Sequence, residues 1–93
     1  MRPVIVTTEY RGVFFGYADD TSGDTIHLKN ARNCIYWDSS IGGFMGLASE
    51  GPNNNCRIGA EVDNFEARKV TSIIDVSKKA EDAWKSAPVF RGQ

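Results

Sequence analysis

Val4-Ile5-Val6-Thr7-Thr8-Glu9-Tyr10, then Arg11-Gly12, then Val13-Phe14-Phe15-Gly16-Tyr17-Ala18 carry the clearest β signal in the chain. The first run alternates β-branched and small polar side chains, and the second is rich in aromatics. Both compositions suit a pleated, half-buried surface. Two such runs around a short Gly-containing link predict a β-hairpin.

The pattern continues outward from that hairpin. Asp19-Asp20-Thr21-Ser22-Gly23-Asp24 is a run of polar and turn-forming residues and reads as a loop. Thr25 to Lys29 alternates again, with Ile26 and Leu28 on one face and Thr25, His27 and Lys29 on the other. Cys34-Ile35-Tyr36-Trp37 is a further strand, so residues 1–37 are expected to form a three- or four-stranded antiparallel meander.

Ser39 or Ser40 is placed to cap a short helix carrying Ile41, Phe44, Met45 and Ala48 at helical spacing. Gly42, Gly43 and Gly46 each cost a helix about 1 kcal/mol, so packing must hold it. Gly51-Pro52 stops it, and Asn53-Asn54-Asn55 follows as a polar loop. Between Phe65 and Val76, Val70, Ser72, Ile74 and Val76 alternate against Thr71, Ile73 and Asp75 as a strand. Ser77 caps a last helix with Ala80, Ala83, Trp84 and Ala87 on one face and Glu81 paired to Lys85, and Pro88 ends it. The expected fold is α+β: one domain over 1–93, a small antiparallel sheet of about five strands, a short central helix and a C-terminal helix.

A chain of 93 residues has room for one core, burying about 60–65% of its unfolded surface. With 41% apolar and 25% charged residues it is composed like a globular protein. Eleven basic residues against twelve acidic, and a pI near 5.7, argue against DNA or RNA binding driven by the phosphate backbone. No apolar run has the length of about 18 residues that a membrane span needs. The start, Met1 to Thr8, is too short and too quickly polar for a secretory signal. A cytoplasmic location with Cys34 and Cys56 as reduced thiols is expected.

The residues of enzyme chemistry are sparse. One histidine, His27, and two cysteines without Cys-x-x-Cys spacing do not make a zinc site. Asp19, Asp20 and Asp24 lack the ligand spacing of a calcium loop. Gly42-Gly43-Phe44-Met45-Gly46 lacks the lysine and hydroxyl of a phosphate loop. A dyad of His27 with Cys34 or Cys56 is compatible with spacing, but an isolated cysteine in a strand usually acts as a small hydrophobe. No catalytic residue, metal or cofactor is expected.

The segment that stands out is Lys29-Asn30-Ala31-Arg32-Asn33-Cys34-Ile35-Tyr36-Trp37, which sets cations and amides directly before two aromatics. Arg and Asn recognise phosphates and base edges, while Tyr and Trp offer stacking faces. Asn30, Arg32, Asn33, Tyr36 and Trp37, with Asn55 and Arg57 from the second polar cluster, are the candidate ligand-binding residues. The structural alternative puts Ile35 and Trp37 in the core and Arg32 and Asn33 in a turn.

Gly12-Val13-Phe14-Phe15-Gly16, the Ala31-Arg32 pair within Leu28 to Asn33, Tyr36-Trp37, and Gly46-Leu47-Ala48 with Gly51 together resemble a family of small phage and prophage proteins. The likeness runs through nearly the whole chain and names no reaction. It implies an accessory protein of the kind that counters host defences. Such a protein binds a host protein, or sequesters a nucleotide-derived immune signal as a homo-oligomer. Arg32, Asn33, Tyr36 and Trp37 are the residues expected to contact such a ligand.

Overall fold

The computed structural model describes residues 1–91. Six strands and two helices follow in the order β1 (Arg2–Thr8), β2 (Gly12–Ala18), β3 (Thr25–Tyr36), α1 (Gly43–Ser49), β4 (Arg57–Ile58), β5 (Val62–Arg68), β6 (Val70–Asp75) and α2 (Lys78–Ser86). All strand pairs are antiparallel, and the sheet runs β4-β3-β2-β1-β6 with β5 also on β3. The expected α+β fold is the one observed.

β1 and β2 form the predicted hairpin, from Arg2 opposite Ala18 to Thr8 opposite Gly12. The expected separate strands Thr25–Lys29 and Cys34–Trp37 are one twelve-residue strand. Asn30 takes a left-handed conformation (φ 52) inside it, which asparagine tolerates better than most residues. From Thr25 to Ala31 β3 pairs with β5, and from Cys34 the same edge pairs with β4. The predicted strand of alternating residues from Val70 is β6, and a further strand, β5, which the sequence reading did not separate, precedes it across Lys69 (φ 57).

The short β5–β6 link has a topological consequence. β5 lies on β3 and β6 lies on β1, at opposite sides of the hairpin. Joined only through Lys69, they force the sheet to curl until its outer strands meet at that corner. Glu9 N–H donates to Lys69 O there, and Val70 N–H to Asp24 O.

Curling gives the sheet two covered faces. Val4, Val6, Ala18, Ile26, Leu28, Ala31 and Ala67 fill the inside of the curl. Ile5, Val13, Phe15, Cys34 and Ile58 face outward under Leu47, Ala48, Ala80 and Trp84 of the helices. This is why Val4, Ile5 and Val6 are consecutive and all fully buried: β1 has a core on each side.

The helices are held by packing and caps. Ser77 Oγ accepts from Ala80 N–H at 3.0 Å, as its position predicts. Trp84 stacks on Phe15 with centroids 5.2 Å apart, and its indole N–H donates to Leu47 O. Gly46 sits so close to Ile41 that a Cβ would lie 1.5 Å from its carbonyl oxygen. Gly51 (φ 85) closes α1, its N–H donating to Gly46 O. Neither Ser39 nor Ser40 acts as the cap; Asp38 accepts from the Ser40 N–H at the 3-10 turn before α1. Glu81 does not take the Lys85 partner expected of it, and accepts instead from Tyr17 O–H at 2.5 Å.

Candidate functional site

β3 distributes its polar residues over very different environments. Arg32 lies opposite Phe15 and is 4% exposed. Its Nε donates to Gly59 O at 2.8 Å, and its Nη1 donates to Trp84 O at 2.8 Å and Ala87 O at 2.7 Å. The last two are carbonyls at the C-terminal end of α2, where a cation meets the negative end of the helix dipole. Burial lowers the guanidinium's pKa, and the Glu61 carboxylate opposes that. Nη2 is buried with no hydrogen-bond partner. Arg32 therefore ties β3, the residue after β4 and the end of α2 together from inside. It is neither in a turn nor turned to solvent.

Asn30 and Asn33 are exposed on β3. Asn30 Nδ2 donates to Glu61 at 2.9 Å, while the Asn33 backbone carbonyl accepts from Gly59 N–H at 2.8 Å. Trp37 is half-buried against the helical core and meets Phe44 with centroids 5.6 Å apart. Asn55 Nδ2 donates to Asp38 at 2.8 Å. Hydrogen bonds from the Ser40 side chain first, then Asn55, hold the Asp38 carboxyl below its usual range. Ile35, which the structural alternative placed in the core, is 49% exposed, and Cys34 takes the buried position.

Tyr36 and Arg57 do come together. They are paired across β3 and β4, and Tyr36 is 46% exposed. The Arg57 guanidinium lies 5.4 Å from the Tyr36 ring centroid and 5.1 Å from that of Phe90. Both distances are within cation–π range. Among the described residues the Arg57 side chain makes no hydrogen bond and no ion pair, so its guanidinium donors are available. Phe90 was missed by the sequence reading; its only signal is an aromatic two residues beyond the helix-stopping Pro88.

Cys34 is buried, and burial pushes its thiol up to about 12, far from the thiolate a nucleophile needs. His27 is exposed and lies 3.7 Å from Glu66 across on β5. Asp20 accepts from the Ser22 N–H and Oγ, an ordinary Asx turn. Among the described residues no three potential metal ligands gather, and no helix is long and apolar enough to cross a membrane.

The fold and site together define a small α+β domain with a curled antiparallel sheet, an internal arginine staple and an exposed arginine between two aromatic rings. The chain belongs to a family described as a domain of unknown function, DUF6948, whose model matches residues 1–84. No curated protein and no solved structure matches it.

Proposed function

We propose that this protein is a non-catalytic phage or prophage accessory factor that binds a nucleotide-type ligand at the Tyr36–Arg57–Phe90 platform. The observation that carries the reading is Arg57. Its guanidinium is held between two rings while its N–H donors have no partner among the described residues. A held guanidinium recognises phosphate oxygens in bidentate fashion, and exposed ring faces stack on a base. Tyr36 and Arg57 remain in the proposed site. Arg32, committed to three carbonyls, contributes by fixing β3 and α2 rather than by touching the ligand.

Tyr36 and Arg57 are both exposed, whereas ligand sites generally enclose most of the ligand. A second copy of the chain would supply the other wall, in keeping with sequestration by a homo-oligomer. The anti-defence setting rests on the resemblance to phage proteins. The experiment is thermal shift against cyclic nucleotides and ADP-ribose derivatives. A ligand at one hundred times its Kd stabilises by about 2.7 kcal/mol, or roughly 10–20 °C for a domain this small. Arg57→Gln is expected to lose the shift. No shift with any of them at millimolar ligand ends this reading.

A second reading is a protein-binding inhibitor or structural partner. Ile35, Phe44 and Met45 favour it, since these large apolar side chains are exposed by 49%, 38% and 69%.

A further inference from the structure

β4 is the outermost strand at its edge of the sheet, and the chain itself returns to lie against it. Ala87 leaves the helical conformation at the end of α2 (ψ 132). Val89 then forms a parallel bridge with Ile58, and Phe90 N–H donates to Ile58 O at 2.9 Å. The Phe90 ring completes the contact on Arg57.

This segment is held unevenly. Ala87 is fixed by Arg32, whereas beyond it, among the described residues, the Val89–Ile58 bridge with its Phe90 N–H bond and the ring contact on Arg57 do the holding. Val89 is 36% exposed. Beside the segment lies a concavity of about 200 Å³, lined by Asn53, Asn54, Cys56, Pro88 and Phe90 among others. Residues 88–90 line that space without filling it. They also lie outside the stretch matched by the family, while Arg57 and Ile58 lie within it.

We propose that the β4 edge is a docking site for an extended peptide segment of a partner protein, and that residues 88–90 cover it in the absence of that partner. The chemistry of the occupant follows from the segment now seated there. It is an aliphatic residue beside Ile58 followed by an aromatic ring on Arg57, running parallel to β4. Exposed Arg57, which stays on β4 after exchange, favours an acidic residue flanking that pair. Exchange replaces each backbone and ring contact with its equivalent. A side chain larger than those of Pro88 and Val89 reaches Asn53, Asn54 and Cys56, which line the far side of the adjacent concavity. Strand addition of this kind draws affinity from the main chain and specificity from such side-chain recesses.

This inference goes beyond the nucleotide reading, because it uses the strand edge and is read at Ile58. The test titrates the ¹⁵N-labelled full chain and its Phe90→Ala variant with a synthetic peptide of the sequence of residues 87–91. A second peptide carries Ala in place of the Phe. Weakening the chain's own segment is expected to tighten the first peptide by about tenfold, seen as movement of the Ile58 amide, while the second peptide leaves that amide still. Phe90→Leu, a milder change that keeps an apolar side chain at this edge, is expected to fall between. A folded Phe90→Ala chain with an unmoved Ile58 amide at millimolar peptide overturns the proposal. Equal affinity of the first peptide for all three chains does so too. Either result leaves the nucleotide thermal shift standing, and loss of that shift leaves peptide exchange standing.

Discussion

Arg32 Nη1 and the Trp84 carbonyl oxygen stand 2.8 Å apart across 52 residues of sequence, joining the middle of β3 to the end of α2 inside the protein. The same guanidinium holds Gly59 and Ala87, so one side chain fastens three separate stretches of chain. Removing it leaves buried carbonyls without donors, at a cost of about 1–3 kcal/mol each where water cannot reach them. Arg32→Ala is expected to destabilise the fold by about 3 kcal/mol or more in urea unfolding. Arg32→Lys recovers less than half of that, because a single ammonium cannot reproduce the fork. A loss within about 0.5 kcal/mol would remove the staple from the account.

Gly46 marks the closest backbone approach near α1. With a Cβ only 1.5 Å from Ile41 O, Gly46→Ala must push the preceding turn away from the helix. The expected loss is about 2–3 kcal/mol, despite alanine's better helix propensity, and thermal unfolding reads it directly.

The two cysteines are expected to differ in reactivity. Cys34 is buried, with its thiol pushed up to about 12, while Cys56 is half-buried. A thiol-disulfide reagent at neutral pH should modify Cys56 first in the native protein, and both at similar rates in denaturant. Equal native rates would contradict the placement of Cys34 in the helical core.

Tyr17 gives the fold an alkaline limit. Burial first, and then the Glu81 carboxylate it donates to, raise its phenol well above the ordinary 10.0. The native state therefore keeps a proton that the unfolded chain releases. The stability Tyr17 contributes is complete below about pH 10 and falls as pH rises beyond it. Cys34 acts in the same direction from its ordinary value of 9.0 upward. Tyr17→Phe should flatten the decline in unfolding free energy above pH 10 while leaving the Cys34 part of it.

Local signals were legible in the sequence. The hairpin, the Ser77 cap and the Ala80/Trp84 face of α2 each depend on residues within one turn or two strands of each other. Breaks set by tertiary closure were not. Nothing local says that β3 runs through a left-handed Asn30, or that a second strand, β5, ends at Lys69 and lies on the opposite side of the hairpin from β6. The same limit applied to the candidate site. Arg32 and Arg57 look alike in sequence, and only the position of the α2 terminus makes one an internal tie and leaves the other at the surface. Phe90 escaped because its role exists only after the chain folds back along β4.

The contrast between those two arginines is the centre of the account, and their side-chain Nε–Hε signals in ¹H–¹⁵N NMR test it most directly. Titrated with the nucleotide that gives the largest thermal shift, Arg57 Hε is expected to move in proportion to occupancy. Arg32 Hε, locked on Gly59 O, should be slow to exchange and stay in place. Movement of Arg32 with Arg57 still, or of neither at saturating ligand, would contradict it.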